Sequence, residues 1–273
     1  MKLQKPQSIF SSRKNMLKNF LHVRPPEFGT TILKTLVARL PTQTWLSREQ
    51  IVKQQFSTPP AIAYFLSYLL ILKPGDQILE PSAGTGSLAV WVNGLGLKTY
   101  TNEIDLRRRQ LLEVLGFQPT AYNAEFINDL LAPDCAPDCV LMNPPFSSNG
   151  GRTKNNSSKF GFRHVESALE RLKKGGKFGI ILGEAGGLDT KTGNVFWRKL
   201  SDRIEVKSII KIDGREYFKY GTTARINLIT GRKFLETRDS DWNQALNKII
   251  TLSVSSVEEA FAKTDKLNLR FDY

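Results

Sequence analysis

The sequence predicts an α/β fold, with a mostly parallel seven-stranded sheet, an antiparallel last strand and helices on both faces. Three observations predict it. Strand-length apolar runs alternate with helix-length stretches through the middle of the chain, as parallel strands require, because each must be followed by a crossover. A turn containing Gly84 and Gly86 stands at the carboxyl end of the first run. A stiff segment, Asn143-Pro144-Pro145-Phe146, follows the apolar run Cys139, Val140, Leu141, Met142.

Taken in order, residues 1–47 read as a basic, partly helical N-terminal extension, with one helix around 32–40 ended by Pro41. Ser47 is an N-cap, and Gln50 completes a capping box for a helix running to about Gln54. A core of residues 48–235 follows. It holds a helix over 61–72, strand one ending in Ile78 and Leu79, a helix over 87–92 and strand two over 99–101. Next come a helix over 110–115, a short third strand near 120–122 and strand four running into Asn143. Arg107, Arg108 and Arg109 start a helix after Asp105 and are expected to face solvent. A helix over 164–172 is closed by Lys173-Lys174-Gly175-Gly176, then comes strand five over 177–182 and a helix over 195–200. Residues 208–212 and 225–230 close the sheet as a pair, with Phe218 and Gly221-Thr222-Thr223 between them. Residues 236–273 form a small C-terminal extension with helices expected over 242–250 and 257–263.

The motifs that carry chemistry lie where strands end. In Asn143-Pro144-Pro145-Phe146 two prolines remove two backbone donors and hold the chain in an extended bend. What remains is an amide side chain, free carbonyls and an aromatic face, a set suited to holding a planar amine. In Glu80-Pro81-Ser82-Ala83-Gly84-Thr85-Gly86 the glycines let a ligand approach the backbone, and the following helix start offers unpaired N–H groups. No Gly-Lys-Ser/Thr follows, and Glu80 would repel a phosphate, so the turn suits an amino-bearing ligand instead. Glu103 lies 19 residues beyond Gly84, the distance at which a βαβ unit places an acid on a ribose hydroxyl pair.

These residues resemble class I S-adenosylmethionine-dependent methyltransferases of the Rossmann-like type, in the amino-methylating branch that carries Asn/Asp-Pro-Pro-aromatic. More narrowly, the chain is similar to the methylase module of bacterial, plasmid and phage proteins with strawberry-notch-type helicase regions. The resemblance covers about residues 48–235 and implies S-adenosylmethionine as cofactor. It implies that Phe56, Ser57, Thr58 and Pro59 cover the cofactor, and that Glu80, Pro81, Ser82, Ala83, Gly84 and Gly86 form its first motif. Glu103 with Ile104 would hold the ribose, and Asn123 with Ala124 the adenine. Asn143, Pro144, Pro145 and Phe146 would be catalytic, with Asn143 touching cofactor as well. Where the family often has Asp at the adenine-contacting position, this chain has Asn123.

Composition agrees. With 273 residues, 40% of them hydrophobic, the chain can bury one sizeable core. No apolar run approaches a membrane span, and the basic N-terminus lacks the apolar stretch of a signal peptide. Cys135 and Cys139 are expected as buried or incidental thiols in a reducing, cytoplasmic setting, and no metal site is expected. The net charge of +13 is uneven: residues 1–55 hold ten Lys/Arg against two Glu. Arg152, Lys154, Lys159 and Arg163 follow the Asn-Pro-Pro-Phe segment without an intervening acid, which places them as substrate-binding residues for a polyanion.

The chemistry expected is direct transfer of a methyl group to an exocyclic amine, with the Asn143 oxygen and the Pro144 carbonyl accepting its two N–H groups and Phe146 stacking on the ring. Adenine N6 in DNA is the target the motif order favours. The alternatives are an amino group in RNA, a glutamine amide in a protein, and a non-catalytic nucleic-acid-binding subunit of a helicase or modification assembly. No stretch is long enough for a large recognition domain, so either sequence preference is low, a helicase-like or recognition partner supplies site choice, or the 147–163 loop and the terminal regions read the site.

Overall fold

The structure, a computed structural model, describes residues 25–40, 57–145, 159–220, 223–239, 241–267 and 269–270, with Pro25, Lys159 and Phe160 described by backbone alone. Pro25–Glu27, the π-helical Phe28–Leu33 and Lys34–Ala38 run on as one helical stretch, α1. Then follow α2 (Pro60–Leu69), β1 (Gln77–Glu80), α3 (Ala89–Gly94), β2 (Lys98–Thr101), α4 (Leu106–Val114), α5 (Ile127–Leu130) and β3 (Cys139–Met142). The second half holds α6 (Lys159–Arg171), β4 (Lys177–Gly183), α7 (Lys191–Lys199), β5 (Ile204–Ile212), β6 (Ile226–Lys233), α8 (Trp242–Lys248), β7 (Ile250–Val254) and α9 (Val257–Leu267).

Seven strands form one sheet in the order β2-β1-β3-β4-β6-β5-β7. β6 is inserted antiparallel between β4 and β5, and every other pairing is parallel. Both faces are covered, and the period-two alternation of strand side chains decides which residue meets which layer. Ile78, Leu141, Ile181, Ile210 and Leu228 meet α2 and α9 on one face. Leu79, Val140, Met142, Ile180, Ile209 and Ile229 meet α6 and α7 on the other. Each such side chain, fully buried, contributes about 1.5–3 kcal/mol. α2 opens with Pro60 in its first turn, where the missing N–H costs nothing, and is buried almost all round. It presses so close on the sheet that a Cβ at Gly179 of β4 would meet Leu70 and Leu66 at 2.8 and 2.9 Å.

Two elements differ from the sequence reading. The third strand expected near 120–122 is a single bridge, Asn102 to Thr120. The Asn102 side chain takes the place of a ladder: Nδ2 donates to the Pro81 and Tyr122 carbonyls, and Oδ1 accepts from Thr120 Oγ1 and Tyr122 N–H. The seventh strand is instead Ile250–Val254, whose Ile-Thr-Leu-Ser-Val alternation is a strand pattern. The helix expected over 242–250 therefore stops at Lys248. The helix expected over 47–54 lies outside the described residues. Among the described residues, no helix is long and apolar enough to cross a membrane. Cys135 and Cys139 are buried free thiols.

Candidate active site

At the carboxyl end of β1, β2 and β3 the chain leaves a cleft open on one side. Its floor is the turn after β1. Gly84 and Gly86 have φ of +56° and +83°, left-handed values that favour glycine. The Gly84 N–H donates to Glu103 Oε2 at 2.8 Å, and the Asp105 N–H donates to Oε1 at 2.8 Å. Glu103, just past β2, is thus held by two backbone donors across the turn, and its remaining lone pairs are available to a ligand. Glu80, at the end of β1, is fully buried; burial pushes its carboxyl well above the usual carboxylate range, against the opposing pull of the Ala89 N–H, and nearby Glu103 adds to the rise. Its Oε2 has no protein partner among the described residues. A buried oxygen of that kind suits a cationic ligand group.

Ile104, 56% exposed, and Tyr122 and Ala124 make the less polar wall. The Asn123 side chain caps the short 3₁₀ turn Ala124–Phe126, accepting from the Glu125 N–H at 3.1 Å, beside the cleft-lining Ala124. Pro81, Ser82 and Ala83 line the floor, and Ser57 and Thr58 the rim, while Pro59 is buried at the start of α2. The far wall is Asn143, Pro144 and Pro145. Asn143 Nδ2 donates to Thr58 Oγ1 at 2.8 Å, and Asn143 Oδ1 is buried with no protein partner among the described residues. A Cβ on Gly161 of α6 would come within 2.8 Å of the Pro145 carbonyl, so α6 sits directly on this bend.

Phe56, Phe146, Arg152 and Lys154 lie outside the described residues, and Lys159 is placed only as the first residue of α6. Arg163 is exposed on α6, and its Nη1 lies 3.3 Å from Glu125 Oε2.

Several cleft residues escaped the sequence reading. Asn102 lines the floor. Of the arginines expected to face solvent only Arg107 does so, because Asp105 accepts from the N–H groups of Arg107 and Arg108 and so fixes which side of α4 turns inward. Arg108 is buried in the cleft lining; burial pulls its pKa down, with Glu103 and Asp105 opposing. Arg109 Nη1 donates to the carbonyls of Glu103 and Ile104 at 3.0 and 2.8 Å. His164, on α6, is buried in the lining with Nδ1 3.4 Å from Ser82 Oγ, and burial lowers its pKa to about 4. Nothing local in the sequence signals it, since an isolated His at a helix start is more often a packing residue.

The fold is that of a class I methyltransferase. It aligns with a putative class I S-adenosylmethionine-dependent methyltransferase of Listeria monocytogenes at a TM-score of 0.57 and 14% identity, covering 90% of this chain and 78% of that one. It aligns with a modification subunit of a putative type I restriction enzyme of Vibrio vulnificus YJ016 at 0.58 and 15% identity, covering 92% and 60%. In sequence, 124 residues are 27% identical to a tRNA (guanine(10)-N2)-dimethyltransferase of Methanothermobacter thermautotrophicus, a match spanning 44% of this chain and 37% of that relative. No protein-family model matches the chain.

Proposed function

We propose that the protein is an S-adenosylmethionine-dependent methyltransferase acting on an exocyclic amino group in nucleic acid, most directly N6 of adenine in DNA. The observation that carries this reading is the Asn143 amide. Its nitrogen is committed to Thr58 and its oxygen is buried in the cleft wall with no partner among the described residues, so the oxygen is an acceptor kept for a ligand N–H.

The residues present fit the cofactor. The partnerless Glu80 oxygen suits its ammonium group, the glycine turn admits it against the backbone, and Glu103 suits its ribose hydroxyls. Ile104, Tyr122 and Ala124 suit the adenine, with Ser57 and Thr58 at the rim. Bound there, the cofactor supplies a methyl group already activated by the sulfonium. The rest falls to the chain. An exocyclic amine is a weak nucleophile because its lone pair is delocalised into the ring. Asn143 Oδ1 and the Pro144 carbonyl accept its two N–H groups, draw the nitrogen towards tetrahedral geometry and stabilise the positive charge that develops there. Phe146 stacks on the base, worth about 1–3 kcal/mol by analogy with other base–aromatic pairs. A duplex target must first be flipped out of its stack. Arg152, Lys154, Lys159 and Arg163 hold the phosphate backbone, and a helicase-like or modification-assembly partner supplies site choice.

A second reading, an amino group of RNA, is favoured by the tRNA-modifying relative. Incubation with methyl-labelled cofactor and, separately, duplex DNA, single-stranded DNA, structured RNA and cell protein tests both, with digestion and mass spectrometry of the products. N6-methyladenine in DNA, absent with Asn143→Ala, is the expected result. Label in RNA or protein would overturn the DNA target, and no label in any of them would overturn the activity.

A further inference from the structure

The two edges of the sheet are finished differently. Beyond β2 the segment at Thr120 lies against the edge: its N–H donates to the Thr101 carbonyl at 3.0 Å, and its carbonyl accepts from the Glu103 N–H at 3.0 Å. Exposed Lys98 adds a charge at the start of that strand. A lysine and a covering segment both discourage a sheet edge from pairing with another chain. β7 forms the opposite edge. No charged residue or proline stands from Ile249 to Val257, and Ile250 is 44% exposed.

Strand alternation decides which backbone groups of β7 face outward. The Val254 carbonyl accepts from the Asp213 N–H at 3.2 Å, so Ile250, Leu252 and Val254 turn their backbone groups towards β5. Thr251 and Ser253 therefore turn theirs away from the sheet. Among the described residues, the one hydrogen bond to these outward groups comes from Lys263 Nζ, 3.3 Å from the Ser253 carbonyl. That is long for a hydrogen bond, and the same ammonium pairs with Glu259 at 2.8 Å.

We propose that β7 pairs antiparallel with the β7 of a second copy of this chain, about a two-fold axis through Leu252. In that register Thr251 lies opposite the partner's Ser253, and Ser253 opposite the partner's Thr251. Each of these pairs exchanges two N–H···O=C bonds, so every outward group of both strands is satisfied. Lys263 releases the carbonyl and keeps Glu259. No other antiparallel register matches both outward residues. On the face shared with α2 and α9, Leu252 meets the partner's Leu252, and the exposed Ile250 meets the partner's Val254. One patch serves on both copies, so the contact closes as a pair.

Helix α9 favours a second copy over a foreign strand. Lys263 reaches the outer row of β7 and so marks the face of α9 turned to that edge. Glu259, Ala262 and Lys266 share this face at helical spacings of three and four. It is acidic where the helix starts and basic where it ends. A two-fold axis normal to the sheet sets the two α9 helices antiparallel, with Glu259 towards the partner's Lys266. The two clefts then open at opposite edges of one continuous sheet, so each site stays complete in its own copy. The pairing stands or falls independently of the methyl-transfer reading.

Sedimentation of the full chain over a concentration series, with hydrogen exchange of the β7 amides, tests the pairing. A species of twice 30.8 kDa is expected to build up with concentration. The Thr251 and Ser253 amides are expected to gain protection in step with it, while those of Leu252 and Val254 are protected throughout. In Thr251→Pro the lost N–H is an outward one, so no bond to β5 is removed. This variant is expected to raise the dimer dissociation constant about 10- to 100-fold, two bonds being lost per pair. Lys266→Glu is expected to raise it about 2- to 10-fold, as loss of exposed ion pairs does. Unchanged cofactor Kd in both variants shows that the fold is intact. A wild type that stays monomeric with freely exchanging Thr251 and Ser253 amides overturns the proposal, as does a dimer indifferent to Thr251→Pro. Protection of those two amides in the monomer would mean that the chain covers its own edge, and would overturn it as well.

Discussion

The two ends of the same sheet treat their polar atoms in opposite ways. At the amino end several charged groups are paired within the chain, although Asp202 Oδ1, just before β5, is buried without a partner among the described residues. Asp138 accepts from the Gln77 N–H at 2.9 Å and from Lys173 Nζ at 2.8 Å. The buried Lys177 ammonium reaches the Ile71 carbonyl at 2.7 Å and Asp76 at 3.2 Å. Lys233 Nζ gathers the carbonyls of Leu169, Glu170 and Leu172, capping α6 where its dipole is negative. At the carboxyl end, Glu80 Oε2 and Asn143 Oδ1 are buried and have no partner among the described residues. Leaving one buried polar group unpaired costs about 1–3 kcal/mol. Two such groups around one cleft, at the strand carboxyl ends where open α/β sheets bind ligands, are the basis of the proposed site.

Breaking the closed end should cost stability and leave ligand binding alone. Lys177→Met removes the ammonium partner of Asp76 and is expected to lower unfolding free energy by about 3 kcal/mol, at the low end for breaking a buried pair because Asp76 keeps the Lys73 N–H and some contact with water. Denaturant unfolding measures the loss, and calorimetry should find the cofactor Kd unchanged.

His164 tests the open end through pH. Its pKa is about 4 in the folded chain and 6.5 ordinarily, so between these values the unfolded chain binds the extra proton. Stability should therefore fall as pH drops from about 6.5 to about 4, by up to roughly 3 kcal/mol from this group. Melts in that window should show the slope in wild type and a flatter one in His164→Gln.

Smaller again is Gly86→Ala. Its φ of +83° and the approach of the new Cβ to Leu112 at 3.0 Å and Leu115 at 3.2 Å should cost about 1–2 kcal/mol, read by thermal melting. Because the turn also floors the cleft, cofactor Kd should rise with it, the reverse of Lys177→Met.

Much of this was legible in the sequence because it is local. Strand alternation, the glycine turn, Glu103 at its distance and the Asn-Pro-Pro bend are short-range patterns, and the structure brings Glu80, Gly84, Glu103 and Asn143 to one cleft. What stayed hidden is what only tertiary convergence creates. Arg108 looked like one of three exposed arginines until the Asp105 cap fixed the phase of α4. His164 belongs to a helix outside the motifs and reaches the cleft only in the folded chain. Asn102 replaced a whole strand with one amide, which no periodicity records.

The split between binding and turnover at Asn143 tests the proposed chemistry most directly. Cofactor Kd by calorimetry and single-turnover methyl transfer are measured for wild type and Asn143→Ala under the same conditions. Cofactor Kd is expected to change by less than about threefold while transfer falls at least about 100-fold, since the lost acceptor acts on the amine in the transition state. Equal losses in both would make Asn143 a cofactor ligand rather than the amine's acceptor, and unchanged transfer would contradict its proposed role outright.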